Sequence, residues 1–114
     1  MPKKYTLMKI FLIFKIIITS SCAYFNYFYN ANEFYDQAQI QILDLKEGEK
    51  FSSTIVDLLD KTIQRCNIVI DQYPDSKFIH PALSLKSKAL FYKKDYVLSR
   101  STLEKLSSYP INEL

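Results

Sequence analysis

The chain has 114 residues and a mass near 13.4 kDa, enough for one domain. Fifteen Lys plus Arg stand against twelve Asp plus Glu, but Lys3, Lys4, Lys9 and Lys15 precede every acidic residue; from Cys22 onward, eleven basic and twelve acidic residues leave a net of −1. The remainder therefore lacks the basic excess of a nucleic-acid-binding domain. One histidine, one glycine and two cysteines argue against a zinc site, a phosphate-cradling glycine loop and a disulfide scaffold.

Residues 1–22 read MPKKYTLMKIFLIFKIIITSSC. A lysine-rich start is followed by an apolar run from Ile10 to Ile18, broken only by Lys15, and then by Thr19, Ser20 and Ser21. This is the three-part layout of an export signal. The apolar run is shorter than the roughly 20 residues a bilayer span needs. Residues 1–21 are therefore read as a signal peptide and 22–114 as the folded domain. The alternative is an uncleaved anchor in the inner membrane.

The segment TSSC resembles the lipobox of bacterial lipoproteins, with Thr19 where Leu is usual. That resemblance implies diacylglycerol on Cys22, cleavage before it, and a membrane tether facing the periplasm from the outer membrane. Several acyl chains together anchor stably, whereas one does so only marginally.

The rest reads as helix throughout, divided by Gly48, Pro74, Pro81 and Pro110. The spacing predicts a first helix over residues 30–45, with Ala31, Phe34, Tyr35, Ala38 and Ile42 on one face. The aromatic run Tyr24, Phe25, Tyr27, Phe28 and Tyr29 precedes it, read either as a local cap or as a contact with lipid or a partner. A second helix is predicted over 53–72, with the stripe Val56, Leu59, Ile63, Cys66 and Ile70 widened by Leu58 and Val69. A third is predicted over 81–92, with Pro81 at its first position and Ala82, Leu85, Ala89 and Tyr92 buried. After a turn at Lys93 to Asp95, a fourth is predicted over 96–108, burying Ser99, Leu103 and Leu106.

A repeat underlies these elements. Tyr73-Pro74 recurs as Tyr109-Pro110, 36 residues later. Leu59, Thr62, Cys66 and Val69 before the first pair match Tyr96, Ser99, Leu103 and Leu106 before the second, with one residue fewer to the proline. A two-helix period of this length marks a helical solenoid; a four-helix bundle whose helices end alike is the competing reading.

Residues 73–110, YPDSKFIHPALSLKSKALFYKKDYVLSRSTLEKLSSYP, resemble the tetratricopeptide repeat. The form is that of outer-membrane lipoproteins related to the tetratricopeptide component of the β-barrel assembly machinery. Tyr73, Pro74 and Ser76 match its loop, Ala82 and Leu83 the start of helix A, Ser87 its small middle position, and Asp95 and Tyr96 the start of helix B. Ser87 stands where Gly is usual, Leu90 where Tyr is frequent, Lys94 replaces a turn glycine, and Ser99 replaces an Ala. The opening CAYFNYFYNANEFYDQA resembles the start of mature chains in these lipoproteins.

The resemblance implies an all-α fold, a short tetratricopeptide-like hairpin solenoid behind a signal segment. It implies a repeat core of Leu59, Thr62, Cys66, Tyr73, Pro74, Ala82, Ser87, Ala89, Tyr96, Ser99, Leu103 and Pro110. It also implies a groove along helix A, at Leu83, Lys86, Leu90 and Lys93, that holds a partner's peptide or domain. Residues 22–114 make two hairpins, where solenoids usually use three or more repeats. The chain is thus a shortened member, a fragment, or a protein completed by a partner.

No catalytic set assembles. His80 reads as a helix-start or solvent residue, Cys66 as core, and Asp57 with Asp60 as an ordinary surface pair. The expected function is non-catalytic: a lipid-anchored adaptor for envelope proteins, in outer-membrane protein assembly, without cofactor, metal, small-molecule substrate or nucleic acid. The second expectation is a spacer lipoprotein that oligomerises through its aromatic N-terminus.

Overall fold

The computed structural model describes residues 2–110, with side chains for 3–15 and 25–110. They form four α-helices, and no strand occurs among the described residues: α1 (Pro2–Leu43), α2 (Ser53–Gln72), α3 (Ile79–Tyr92) and α4 (Tyr96–Ser108). The expected lipid on Cys22 falls outside the described side chains.

α1 differs from expectation. It runs unbroken for 42 residues, through the aromatic run that the sequence placed ahead of the first helix. No Gly or Pro lies between Pro2 and Gly48, so nothing in the chain interrupts it. At 1.5 Å per residue it extends about 63 Å, which gives the molecule its 73 Å long axis. Side chains 3–15 are all exposed. Ala31 and Ala38 are fully buried and let α2 and α3 approach closely.

α2 and α4 have the predicted bounds. At the start of α2, Ser52 Oγ accepts a hydrogen bond from Ile55 N at 3.2 Å. Asp95 does the same for α4, accepting from Leu98 N at 3.3 Å. Both side chains satisfy amides that have no partner within the first helical turn. α3 begins two residues earlier than predicted, so Pro81 is its third residue. Its missing N–H is still harmless within that first turn.

The buried face of α2 is Ile55, Leu58, Leu59, Thr62, Cys66, Val69 and Ile70. Ile55 stands in for Val56, which is 37% exposed. The series 55, 59, 62, 66, 69 alternates four- and three-residue steps and keeps one phase; position 56 falls about 100° away. Each fully buried Leu or Ile contributes about 1.5–3 kcal/mol, so this face is a main source of stability.

α1 packs on α2, α2 on α3, and α3 on α4, while α1 touches α3 along a shorter line. α4 does not return to α1. A closed four-helix bundle would bring those two together. Among the described residues the helices form an open series of two hairpins, with one face of α1 and one face of α4 left without a neighbour.

Candidate functional site

The open side of the second hairpin carries a depression of about 440 Å³. Ser84, Lys88 and Phe91 of α3 form its floor, Tyr35 of α1 one wall, and Ser99 and Leu103 of α4 the other. Three faces of α3 explain its position. Ala82, Leu85 and Ala89 are buried with residues of α1 and α2. Leu83, Ser87 and Leu90 are also buried, in the phase one residue further on. Positions 84, 88 and 91 are the face that remains.

The small residues let α4 come close. Ser99 Oγ donates to the Ser87 carbonyl at 2.8 Å, a buried bond between the two helices. Thr102 Oγ1 donates to the Leu98 carbonyl of its own helix at 2.7 Å. Phe91 is 56% exposed and stands edge-on to Tyr96, itself 55% exposed, at 5.4 Å between ring centroids. With Leu103, 49% exposed, they make an apolar patch beside the depression.

The expected groove residues lie elsewhere. Leu83 and Leu90 are 1% and 3% exposed and belong to the packed interior. Lys86 is half-buried and close enough to Cys66 on α2 for its charge to act on that thiol. Lys93 pairs with Asp60 of α2. The accessible line runs through Ser84, Lys88 and Phe91, one residue later in phase. The missed signal was Phe91, a large apolar residue outside both buried faces of α3.

Of the expected repeat core, Leu59, Thr62, Cys66, Ala82, Ser87, Ala89 and Ser99 are buried. Tyr73 is half-buried, and Pro74 and Pro110 are exposed. Tyr96 and Leu103 are corrected to exposed positions: Tyr96 meets the edge of Phe91, and among the described residues no further helix covers that side of α4. Thr62 Oγ1 is satisfied by the Leu58 carbonyl at 2.8 Å.

The residues weighed for chemistry have structural contacts. Burial pushes the Cys66 thiol from 9.0 up to about 12, against the opposing pull of Lys86. A protonated thiol is a poor nucleophile. His80 lies in the first turn of α3, as expected, and it also makes contacts: its Nε2 donates to the Pro110 carbonyl at 2.9 Å, and its ring meets Tyr109 edge-on. This joins the start of α3 to the end of α4. Asp57 pairs with Lys61 at 3.0 Å.

The aromatic run divides. Tyr27 and Phe28 pack on the core, with Phe28 stacked on Phe78 at 5.0 Å, while Phe25 and Tyr29 are about half exposed. Among the described residues, no group of His, Cys, Asp or Glu is placed to hold a metal ion, and no helix is long and apolar enough to cross a membrane. No family model, curated protein or solved structure matches the chain.

Proposed function

We propose that this chain is a membrane-tethered helical-repeat module that binds other proteins through the depression between α3 and α4. The observation that carries this reading is the apolar patch of Phe91, Tyr96 and Leu103 beside an open groove, where a self-sufficient domain would cover such side chains. The tether is a lipidated Cys22, exposed to the periplasm after loss of residues 1–21. The open series of hairpins suits a tetratricopeptide-like adaptor, and the lipobox-like TSSC suits the outer membrane, so the module serves outer-membrane protein assembly. The exposed face of α4 equally suits a spacer lipoprotein that associates with itself.

Membrane fractionation with intact-mass analysis of the N-terminus tests the tether. Wild type partitions to the membrane with a mass fitting an acylated chain that begins at Cys22, and Cys22→Ala is released. An uncleaved N-terminus with tight membrane association of Cys22→Ala overturns it. A photo-crosslinking residue at Phe91 tests the groove. Adducts to another protein are expected there, and their absence at Phe91 and Ser84 alike overturns binding at this site.

A further inference from the structure

We propose that the groove takes α1 of a second copy, so that the protein stacks head to tail into open arrays. This rests on the groove reading above and names its occupant.

The first observation is charge. Residues 25–76 carry nine acidic and four basic side chains, and residues 77–110 carry seven basic and two acidic. The near-zero average conceals a first hairpin of net −5 joined to a second of net +5. The two hairpins are thus complementary to each other, and so are the two open ends of the stack.

The second observation is shape. α1 has an exposed stripe: Tyr29, which stacks on Phe25 one turn before it, then Glu33, Asp36, Ile40 and Leu43. The steps are four, three, four and three, the spacing that keeps a helix seam against a neighbouring helix. Tyr29, Ile40 and Leu43 are 53%, 63% and 80% exposed. The stripe is apolar at both ends and acidic in the middle. The receiving face of α3 and α4 offers Phe91, Tyr96 and Leu103, with exposed Lys88 and Arg100 beside them. Arg100 leans on Glu104 at 3.3 Å, an exposed pair along one helix that a new carboxylate can displace.

The third observation is direction. Neighbouring helices joined by short turns alternate in sense, so α1 and α3 run the same way. α3 lies on α2 and touches α1. An α1 from another copy that lay on α4 and touched α3 would repeat that contact. All α1 helices in the array would then be parallel, with their N-termini on one side. That suits copies held on a single membrane, and it favours a second copy over a soluble acidic helix. The interface is heterologous and does not close, so assembly is open-ended.

The test uses the full chain in a non-ionic detergent, followed by analytical ultracentrifugation. Wild type is expected to form a ladder of oligomers that lengthens with protein concentration. Raising salt from about 0.1 M to about 1 M, which shrinks the Debye length from about 10 Å to about 3 Å, shortens the ladder. Glu33→Lys with Asp36→Lys disables one end, and Lys88→Glu with Arg100→Glu disables the other; each variant alone runs as a single copy. Mixed together, the reversed charges of one variant's α1 meet the reversed charges of the other's groove, so both junctions regain opposite charges and an alternating ladder forms. Assembly of the mixture also reports that both variants are folded, and the milder pair Asp36→Asn and Lys88→Gln should each shorten the ladder without abolishing it.

A single copy of wild type at every concentration, assembly by either charge-reversed variant alone, or no assembly in the mixture overturns the proposal. If wild type is single while a crosslinker at Phe91 still traps a different protein, self-stacking falls and the adaptor reading stands. If neither occurs, both fall.

Discussion

At Cys66 the chain places a titratable group in full burial, 0% exposed on the face of α2 that meets α1 and α3. Desolvation penalises the thiolate, so the folded pKa rises to about 12 from an ordinary 9.0. The sign follows from proton counting. Below pH 9 both folded and unfolded chains hold the proton, and the group does not affect stability. Between pH 9 and 12 the unfolded thiol has lost it and the folded thiol has not, so stability falls as pH rises, by up to about 1.4 kcal/mol per unit. Because tyrosines and lysines titrate in the same window, the measurement is the difference between wild type and Cys66→Ala in urea midpoints from pH 8 to 11. The wild type should lose stability more steeply; parallel curves would show that the thiol is not buried as described. Alkylation of Cys66 should likewise be slow in the native chain and fast in urea.

The same residues show where sequence reasoning succeeds and stops. Leu59, Thr62, Cys66 and Val69 were identifiable because their period matches the second copy and all are small or apolar. Leu83 and Leu90 were misplaced because an apolar residue on a helix can satisfy either a core or a groove. Only the neighbouring helix decides, and α3 has neighbours on two faces.

At the scale of the element, the bounds of α2 and α4 were legible because capping residues are local signals. Ser52 and Asp95 each reach an amide three residues on, independently of the rest of the fold. The turn between α3 and α4 is a second local device. Lys94 adopts φ 65, the left-handed region where a side chain is strained. Lys94 N donates to the Phe91 carbonyl at 2.9 Å and Asp95 N to the Leu90 carbonyl at 3.0 Å, which closes the end of α3. Lys94→Gly should relieve the strain and stabilise the fold by up to about 1 kcal/mol, roughly 4–8 °C in Tm for a domain of this size. Thermal melts followed by circular dichroism check this; a lower Tm would mean that the lysine side chain makes a contact worth more than the strain.

The length of α1 was not legible, because an export-type segment and an amphipathic helix have different compositions and read as separate units. Helix propagation ignores that boundary. Without Gly or Pro to stop it, each added residue gains a hydrogen bond to the turn before it.

At the scale of the molecule, side chains 3–15 project from the N-terminal end of α1 and are exposed throughout. Among the described side chains, Phe25 meets Phe78 and Tyr27 and Phe28 pack on the core. A chain that begins at Cys22 should therefore melt with the rest of the fold unchanged, within about 0.5 kcal/mol of full length. Denaturant titrations of the two forms in the same detergent check this, and a larger loss would place part of the core in the removed segment. The open ends of the hairpin series also belong to this scale. Tyr96 and Leu103 stand at the same spacing as buried α2 positions but are exposed, because among the described residues no further helix lies beside α4.

The charge of the folded part has a direction at this scale. The net of −1 from Cys22 onward means only that no basic excess is left overall. The fold sorts that charge into an acidic hairpin and a basic one, and it leaves one open face on each.

The sequence by itself determined that the described chain is all-helical, where α2 and α4 begin and end, and which small residues of α2, α3 and α4 are buried. These depend on periodicity, caps and glycine or proline breaks, which act over three or four residues. Only the tertiary structure decided that the hairpins form an open series, that the accessible face of α3 runs through Lys88 and Phe91, and that opposite charges lie on opposite ends. Those outcomes depend on which helix packs beside which, and helix phase cannot be assigned until both neighbours of α3 are in place.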